Sequence, residues 1–167
     1  MTFAIHLLSY TVPCWLINVT LNLWYLLKMR YPKILKYDAA LDLNKNFFDG
    51  YRILGNSTTW VGLPIALLSG AIIESFLSTP EIGLLKGLAV YAGHALGSFT
   101  KRRFNIPRGQ YVPIVDHGDS IILTGIIFYA LGLESLSIVV AGVILTLIAQ
   151  PIMAYSGYKL KLRDNPL

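Results

Sequence analysis

Apolar residues dominate five segments of this 167-residue chain, and polar residues gather between them. A membrane-spanning helix needs roughly 20 apolar residues, and most of the segments approach that length. In chain order they are Phe3 to Leu27, Trp60 to Leu77, Ile82 to Phe99, Ser120 to Leu133 and Leu136 to Tyr158. The pattern predicts an all-α fold, a polytopic membrane bundle of about five transmembrane helices with two long loops. We expect a single integral membrane domain over residues 1–167.

The composition agrees with that prediction. Hydrophobic residues make up 54% of the chain and charged residues only 14%, with a mean hydropathy of +0.57. A soluble domain carries more charge than this, so the soluble class is excluded.

The distribution of basic residues predicts how the bundle is oriented. All but one of the 14 Lys and Arg residues fall in the two long loops or in the C-terminal tail, and the exception is Lys86. Cytoplasmic loops carry an excess of Lys and Arg. We therefore expect the N-terminus outside the cell and the long loops and C-terminus in the cytoplasm.

Three residues inside the apolar segments need comment. Pro13 should bend the first helix, because proline lacks the N–H donor. Lys86 should either extend its ammonium outward or face a cavity. Cys14 is the only cysteine, so no disulfide framework and no cysteine-based metal site is available.

The first segment lacks a basic leading region and is longer than a signal peptide's apolar stretch, so we expect it to be retained.

The most unusual stretch runs from Ser98 to Ser120, where four cations and two aspartates interrupt the apolar sequence. Basic residues in a cytoplasmic loop need no role beyond fixing topology, but topology does not require two aspartates just before a span. Asp116 and Asp119 are three residues apart, and on a helix both would project from one face. Alternatively, Asp119 caps a helix that begins at Ser120, and Asp116 is a solvated loop residue.

Paired carboxylates suit Mg²⁺, which prefers oxygen ligands and is usually shared between one or two carboxylates and substrate phosphates. The neighbouring cations would complement those phosphates; they are Lys101, Arg102, Arg103 and Arg108. The loop therefore favours a polyphosphate bound with its metal ion.

The first long loop is less specific. Asp49-Gly50 is typical of a turn, and the hydroxyls of Ser57, Thr58 and Thr59 could bind phosphate or ribose, or could cap the second helix. In the third segment, the Gly93 and Gly97 pair has the spacing of close helix packing.

Two motifs together resemble a known family. "GSFTKRRFNIPRG" followed by "DHGD" is similar to the CTP-dependent cytidylyltransferases of membrane lipids, the phosphatidate cytidylyltransferase family, whose signature runs Ser-x-x-Lys-Arg and closes with Asp-x-x-Asp. The signature positions are Ser98, Lys101, Arg102, Asp116 and Asp119. "DGYRILGNSTTWVG" resembles the archaeal branch, the CDP-archaeol synthases, in which a Lys-containing loop leads into Asp-Gly-x-Arg-Ile-x-Gly and then Thr-Trp-x-Gly. Thr58 and Val61 depart from that branch, which usually has Lys and Arg there.

The resemblance implies a reaction and a site. CTP and an unsaturated archaetidic acid, a digeranylgeranylglyceryl phosphate, would give CDP-archaeol and pyrophosphate with Mg²⁺ at the membrane, with no nucleic acid involved. Catalysis would rest on Asp116 and Asp119, which hold the metal, and on Lys101. The CTP phosphates and nucleotide would be bound by Lys101, Arg102, Arg103, Arg108, Ser98, Asp49, Arg52 and Thr59.

Two other functions are compatible with the residues. A CTP-using lipid or polyprenol kinase would share the nucleotide site but release CDP. A small ion or solute transporter subunit would place Asp116, Asp119 and Lys86 along an ion path. The charged cluster lies at one face of the bundle and charge within the spans is sparse, which favours the enzyme over the transporter.

Overall fold

The computed structural model describes residues 2–31, 38–106 and 112–159. They form five α-helices, which confirms the predicted number and class of elements. The helices are α1 (Phe3–Arg30), α2 (Gly62–Glu74), α3 (Pro80–Arg103), α4 (Pro113–Ala130) and α5 (Leu136–Lys159). Within the described part of the chain, α1 alone is both long and apolar enough to cross a membrane by length and composition.

Helix α3 lies at the centre and contacts α1, α2 and α4. Small residues allow this, because a Cβ at Gly87 would lie 2.8 Å from the Ala66 carbonyl carbon, and one at Gly93 would lie 2.6 Å from the Ser120 Cα. Gly93 therefore packs against α4, as its spacing with Gly97 predicted. The core is completed by Tyr10, Ile17, Val90 and Ile121.

Large apolar side chains also cover the outside of the bundle. Leu68 and Ile72 on α2 and Ile144 and Ile148 on α5 are all exposed. Water-soluble monomers rarely expose so much contiguous apolar surface. The outer face of the bundle is therefore suited to an apolar surrounding.

Helix α4 begins earlier than the predicted span at Ser120. Proline is favoured at the first helical position, and Pro113 occupies the start of α4. The Asp116 carboxylate accepts a hydrogen bond from the Val112 N–H at 2.8 Å, just ahead of the helix. Asp119 consequently lies inside the helix, so the interpretation of Asp119 as the cap of a helix beginning at Ser120 is wrong.

Lys86 does not extend outward, which was one of the two alternatives expected from its sequence context. It is buried and forms an ion pair with Glu74, which lies at the end of α2. The charge of Lys86 is therefore compensated inside the bundle.

Candidate active site

The last turn of α3 places three consecutive cations at one end of the bundle. Successive residues of an α-helix point about 100° apart, so Lys101, Arg102 and Arg103 turn towards different neighbours. Lys101 faces α4, whereas Arg102 and Arg103 face the loop formed by residues 38–61. Cations also interact favourably with the negative end of a helix dipole.

Lys101 and Asp116 form an ion pair between α3 and α4. The Lys101 ammonium binds Asp116 Oδ1, and the second oxygen, Oδ2, accepts the Val112 N–H. Both side chains are partly exposed. The two predicted residues are therefore brought together, with the carboxylate already bound to a cation of the chain.

Asp119 lies one helical turn further into the bundle. Its Oδ1 accepts the Ser120 hydroxyl at 3.0 Å and lies 2.5 Å from the Ser120 backbone N. The carboxylate packs directly on Gly97 of α3, where any Cβ would overlap it. Gly97 thus provides the space that Asp119 occupies.

The two carboxylates fit a magnesium ion in donor chemistry. They lie on one face of α4 and present oxygen atoms, and Mg²⁺ is commonly held by one or two carboxylates together with substrate phosphates. The described residues contain no cluster of three or more His, Cys, Asp or Glu side chains that could hold a metal alone. A metal at this position would therefore take its remaining oxygen ligands from water or from substrate phosphates.

A pocket of about 190 Å³ lies at the C-terminal end of α3, next to Arg102. Arg52 and Gly55 from the loop and Arg102 and Asn105 from the end of α3 line it, together with Tyr51, Leu54 and Ile106. Two guanidinium groups at one small pocket favour an anionic ligand. The pocket joins the two stretches of chain that the sequence motifs singled out.

A second, apolar groove of about 250 Å³ lies between α3 and α4. Leu96, Thr100, Val115 and Ile122 line it, and Asp119 lies at its wall. The groove therefore joins apolar side chains to one of the candidate metal ligands.

Arg103 contacts both the loop and two aromatic rings. Its guanidinium binds Asp49 at 2.7 Å and the Arg52 carbonyl at 2.5 Å, and it lies 4.8 Å from the ring centroids of both Phe47 and Phe99. Arg103 and Asp49 therefore fasten the loop to α3. Their role in binding substrate stays a prediction.

Asp42 was missed by the sequence analysis, yet it organises the loop. Its buried carboxylate accepts hydrogen bonds from Arg52 Nη2 at 2.7 Å and from the Leu54 N–H at 3.0 Å. Burial raises the pKa of Asp42, but the hydrogen bonds from Arg52, Leu54 and Asn44 outweigh it and hold that pKa below its usual value. Arg52, a predicted site residue, thus lines the pocket while its guanidinium is paired with Asp42.

Asp38 was also missed. It accepts hydrogen bonds from the Trp24 indole at 2.9 Å and the Val61 N–H at 3.1 Å, and Lys28 lies 3.4 Å away. These contacts tie the start of the loop to α1 and to the beginning of α2. The position of Asp38 shortly after an apolar helix could have drawn attention to it. The sequence does not show which residues it contacts.

Two threonines at the end of the loop are buried. Thr59 Oγ1 accepts the Gly62 N–H at 3.2 Å, at the start of α2, which corresponds to the capping alternative. Thr58 donates to Ser98 Oγ at 3.3 Å and so joins the loop to α3. Of the remaining predicted site residues, Arg108 lies outside the described residues.

Comparison with known proteins agrees with the motifs. Residues 14–167 match the family described as CarS-like: CDP-archaeol synthase. CDP-archaeol synthase of Pyrobaculum calidifontis is 34% identical over 134 residues, covering 75% of this chain and 80% of that protein. CDP-archaeol synthase of Methanococcus maripaludis strain S2 is 36% identical over 169 residues, covering 84% and 92%.

A solved structure shares the fold. It is described as an intramembrane enzyme for archaeal membrane lipids biosynthesis, and it aligns with a TM-score of 0.61 at 22% identity over 86% of this chain and 89% of its own. The motifs, the extent of the family match and the identities with curated relatives lead to one assignment. The chain belongs to the CDP-archaeol synthase family.

Proposed function

We propose that this protein is a CTP-dependent cytidylyltransferase that converts a digeranylgeranylglyceryl phosphate and CTP to CDP-archaeol and pyrophosphate. The observation that carries the proposal is the position of the Lys101, Asp116 and Asp119 cluster. Asp119 lines an apolar groove, and Arg102, which follows Lys101 in the chain, lines a pocket together with Arg52. A water-soluble nucleotide and a lipid phosphate can meet there.

The chemistry requires little covalent help from the protein. A phosphate monoester has a second pKa near 6, so at neutral pH the lipid phosphate is already largely a dianion and needs no general base. Its oxygen attacks the α-phosphorus of CTP, a new P–O bond forms, and the bond to the β-phosphate oxygen breaks to release pyrophosphate. Positioning and charge neutralisation then account for catalysis.

Each candidate residue has a role in that scheme. Arg102 and Arg52 bind phosphate oxygens in the pocket that they both line. Lys101 contributes a third cation near Asp116. Asp116 and Asp119 would hold Mg²⁺, which when bound neutralises charge on the triphosphate and on the leaving group. The groove beside Asp119 receives the proximal part of an isoprenoid chain, so that the lipid phosphate reaches the same cluster.

The protein works in a membrane, and we propose that all five helices cross it. The apolar outer faces of α2 and α5 support this arrangement. The basic loops and the C-terminal end lie in the cytoplasm, where CTP is made available, and the N-terminus lies outside.

Product analysis tests the function directly. Purified protein in lipid nanodiscs receives CTP labelled at the α-phosphate, Mg²⁺ and a panel of lipid phosphates. We expect labelled CDP-lipid and one pyrophosphate for each lipid formed, with preference for the isoprenoid lipid. With a lipid alcohol added, release of CDP and phosphate transfer to that alcohol would instead identify a kinase. Ion flux into proteoliposomes without CTP turnover would identify a transporter.

A further inference from the structure

We propose that Lys101 is an exchangeable counter-ion for Asp116. Without substrate it occupies the carboxylate that a divalent cation needs, and the arriving triphosphate draws it away. Entry of the metal is thereby coupled to entry of the nucleotide. This inference rests on the proposed function, because it deepens the role of the same site.

The contacts of Asp116 are the first argument. Oδ1 binds the Lys101 ammonium and Oδ2 accepts the Val112 N–H at 2.8 Å. Each oxygen of this carboxylate therefore already has a partner. A cation that approaches Oδ1 has to compete with the Lys101 ammonium for that oxygen.

The mobility of Lys101 is the second argument. A lysine ammonium is a point charge on a flexible four-carbon stem, and it can rotate to another anion at low cost. The Lys101 and Asp116 side chains are 19% and 27% exposed, so the pair lies within reach of an incoming ligand. Arg103, by contrast, is held by Asp49, by the Arg52 carbonyl and by two aromatic rings.

The electrostatics of the exchange are the third argument. A lysine and a metal ion compete for one carboxylate, and a triphosphate offers Lys101 several anionic oxygens in return. Mg²⁺ gives up its water reluctantly and is usually held by carboxylates together with substrate phosphates. Metal and nucleotide should each increase the affinity for the other, because coupling between two binding events is reciprocal.

Binding of Mn²⁺ alone tests the exchange without any nucleotide. Free Mn²⁺ is measured by its electron paramagnetic resonance signal during titration of the intact enzyme in nanodiscs. Lys101→Gln should bind Mn²⁺ about tenfold more tightly than the parent, because the competing ammonium is gone. Asp116→Asn introduced into Lys101→Gln should abolish that gain.

Two matched variants control for charge. Lys101→Arg keeps the cation and should bind Mn²⁺ as weakly as the parent. Arg30→Gln removes a positive charge at the exposed end of α1 and should change Mn²⁺ affinity less than about twofold, since salt screens distant charges. Equal gains in Arg30→Gln and Lys101→Gln, or no gain in Lys101→Gln, would overturn the proposal.

A reciprocal measurement uses different variants and so does not depend on the folding of Lys101→Gln. In EDTA, Asp116→Asn should bind metal-free CTP about tenfold more tightly than the parent, because Lys101 is released to the phosphates. Asp119→Asn removes the same charge from the same helix face but frees no lysine, so its gain should be smaller. Equal gains in both variants would contradict the exchange.

The two proposals fail in different ways. Absence of CDP-lipid formation would refute the proposed function, whereas the Mn²⁺ titration would still report whether Lys101 competes for Asp116. CDP-lipid synthesis by the parent enzyme, together with unchanged Mn²⁺ affinity in Lys101→Gln, would refute the exchange alone.

Discussion

Lys86 of α3 and Glu74 of α2 form an ion pair inside the bundle, with Nζ and Oε1 2.5 Å apart. The two residues are 4% and 2% exposed. Lys86 also donates to the Ser9 carbonyl of α1 at 3.1 Å. Proline at position 13 has no N–H to offer that carbonyl, which lies four residues earlier in α1. Lys86 therefore supplies the donor that Pro13 lacks, and three helices are joined at one ammonium.

Removal of Lys86 should destabilise the protein, because the buried charge of Glu74 is then uncompensated. Lys86→Met leaves Glu74 buried without its cation and should lower the free energy of unfolding by about 3 to 5 kcal/mol. Adding Glu74→Gln should restore part of that loss, because the uncompensated charge is gone. Thermal unfolding in detergent measures both effects.

The same variants separate this pair from the active site. Lys86 and Lys101 are about 22 Å apart along α3, from the rise of 1.5 Å per residue. The Mg²⁺ and CTP requirements of the folded Lys86→Met enzyme should therefore match the parent. A raised Mg²⁺ requirement in this variant would show that the pair acts on the site.

Gly97→Ala should disturb the site through Asp119. The added Cβ would overlap the Asp119 carboxylate, so that side chain has to move. We expect a higher Mg²⁺ requirement together with lower stability, measured by Mg²⁺ titration of CDP-lipid synthesis and by thermal unfolding. Gly83→Ala is the matched control, because its Cβ would lie 2.7 Å from the Ala71 Cα, far from the site. It should lose stability and keep the parental Mg²⁺ requirement, and equal Mg²⁺ shifts in both variants would argue against the placement of Asp119.

The lowered pKa of Asp42 predicts that the stability of the fold depends on pH. Its pKa is lower in the folded protein than in the unfolded chain, where an aspartate titrates near pH 3.9. The stability that Asp42 contributes is therefore fully present above about pH 4 and is lost as the pH falls through the lower, folded pKa. Asp42→Asn should unfold at a lower temperature than the parent at pH 7, and the difference should shrink at more acidic pH. A difference that stays constant down to pH 3 would mean that Asp42 does not contribute through its charge.

The proposed orientation can be tested by labelling from one side of the membrane. Ser57 in the first loop and Thr79 between α2 and α3 are both exposed, whereas the native Cys14 is buried and should give little background. A membrane-impermeant thiol reagent added outside intact cells should label Thr79→Cys and spare Ser57→Cys. Labelling of Ser57→Cys from outside would reverse the orientation.

The sequence was sufficient for the helices but not for the contacts of the loop. Long apolar segments are a strong signal. The spacing of Asp116 and Asp119 allowed both to lie on one helix, and of the two alternatives left open by the sequence this is the one that the structure has. The apolar span predicted from Ser120 missed the first residues of α4. Pro113 usually breaks a helix and Asp116 is charged, so neither extends an apolar segment, although both suit the first turn of a helix. Asp42 was missed because its partners, Arg52 and Leu54, are brought to it by folding of the loop.

In the proposed function, Asp116 and Asp119 jointly hold the catalytic metal. The most direct measurement is a Mg²⁺ titration of CDP-lipid synthesis by the parent, Asp116→Asn, Asp119→Asn and the double variant, each shown to be folded in the membrane. Asn keeps the shape of the side chain but removes the charge that holds a hard cation. Each single variant should lose about two orders of magnitude in turnover and need more Mg²⁺. Because both residues serve one ion, the double variant should lose less than the product of the two single losses. Turnover and Mg²⁺ dependence that match the parent in Asp119→Asn would contradict the account, and the metal would then have to be held elsewhere.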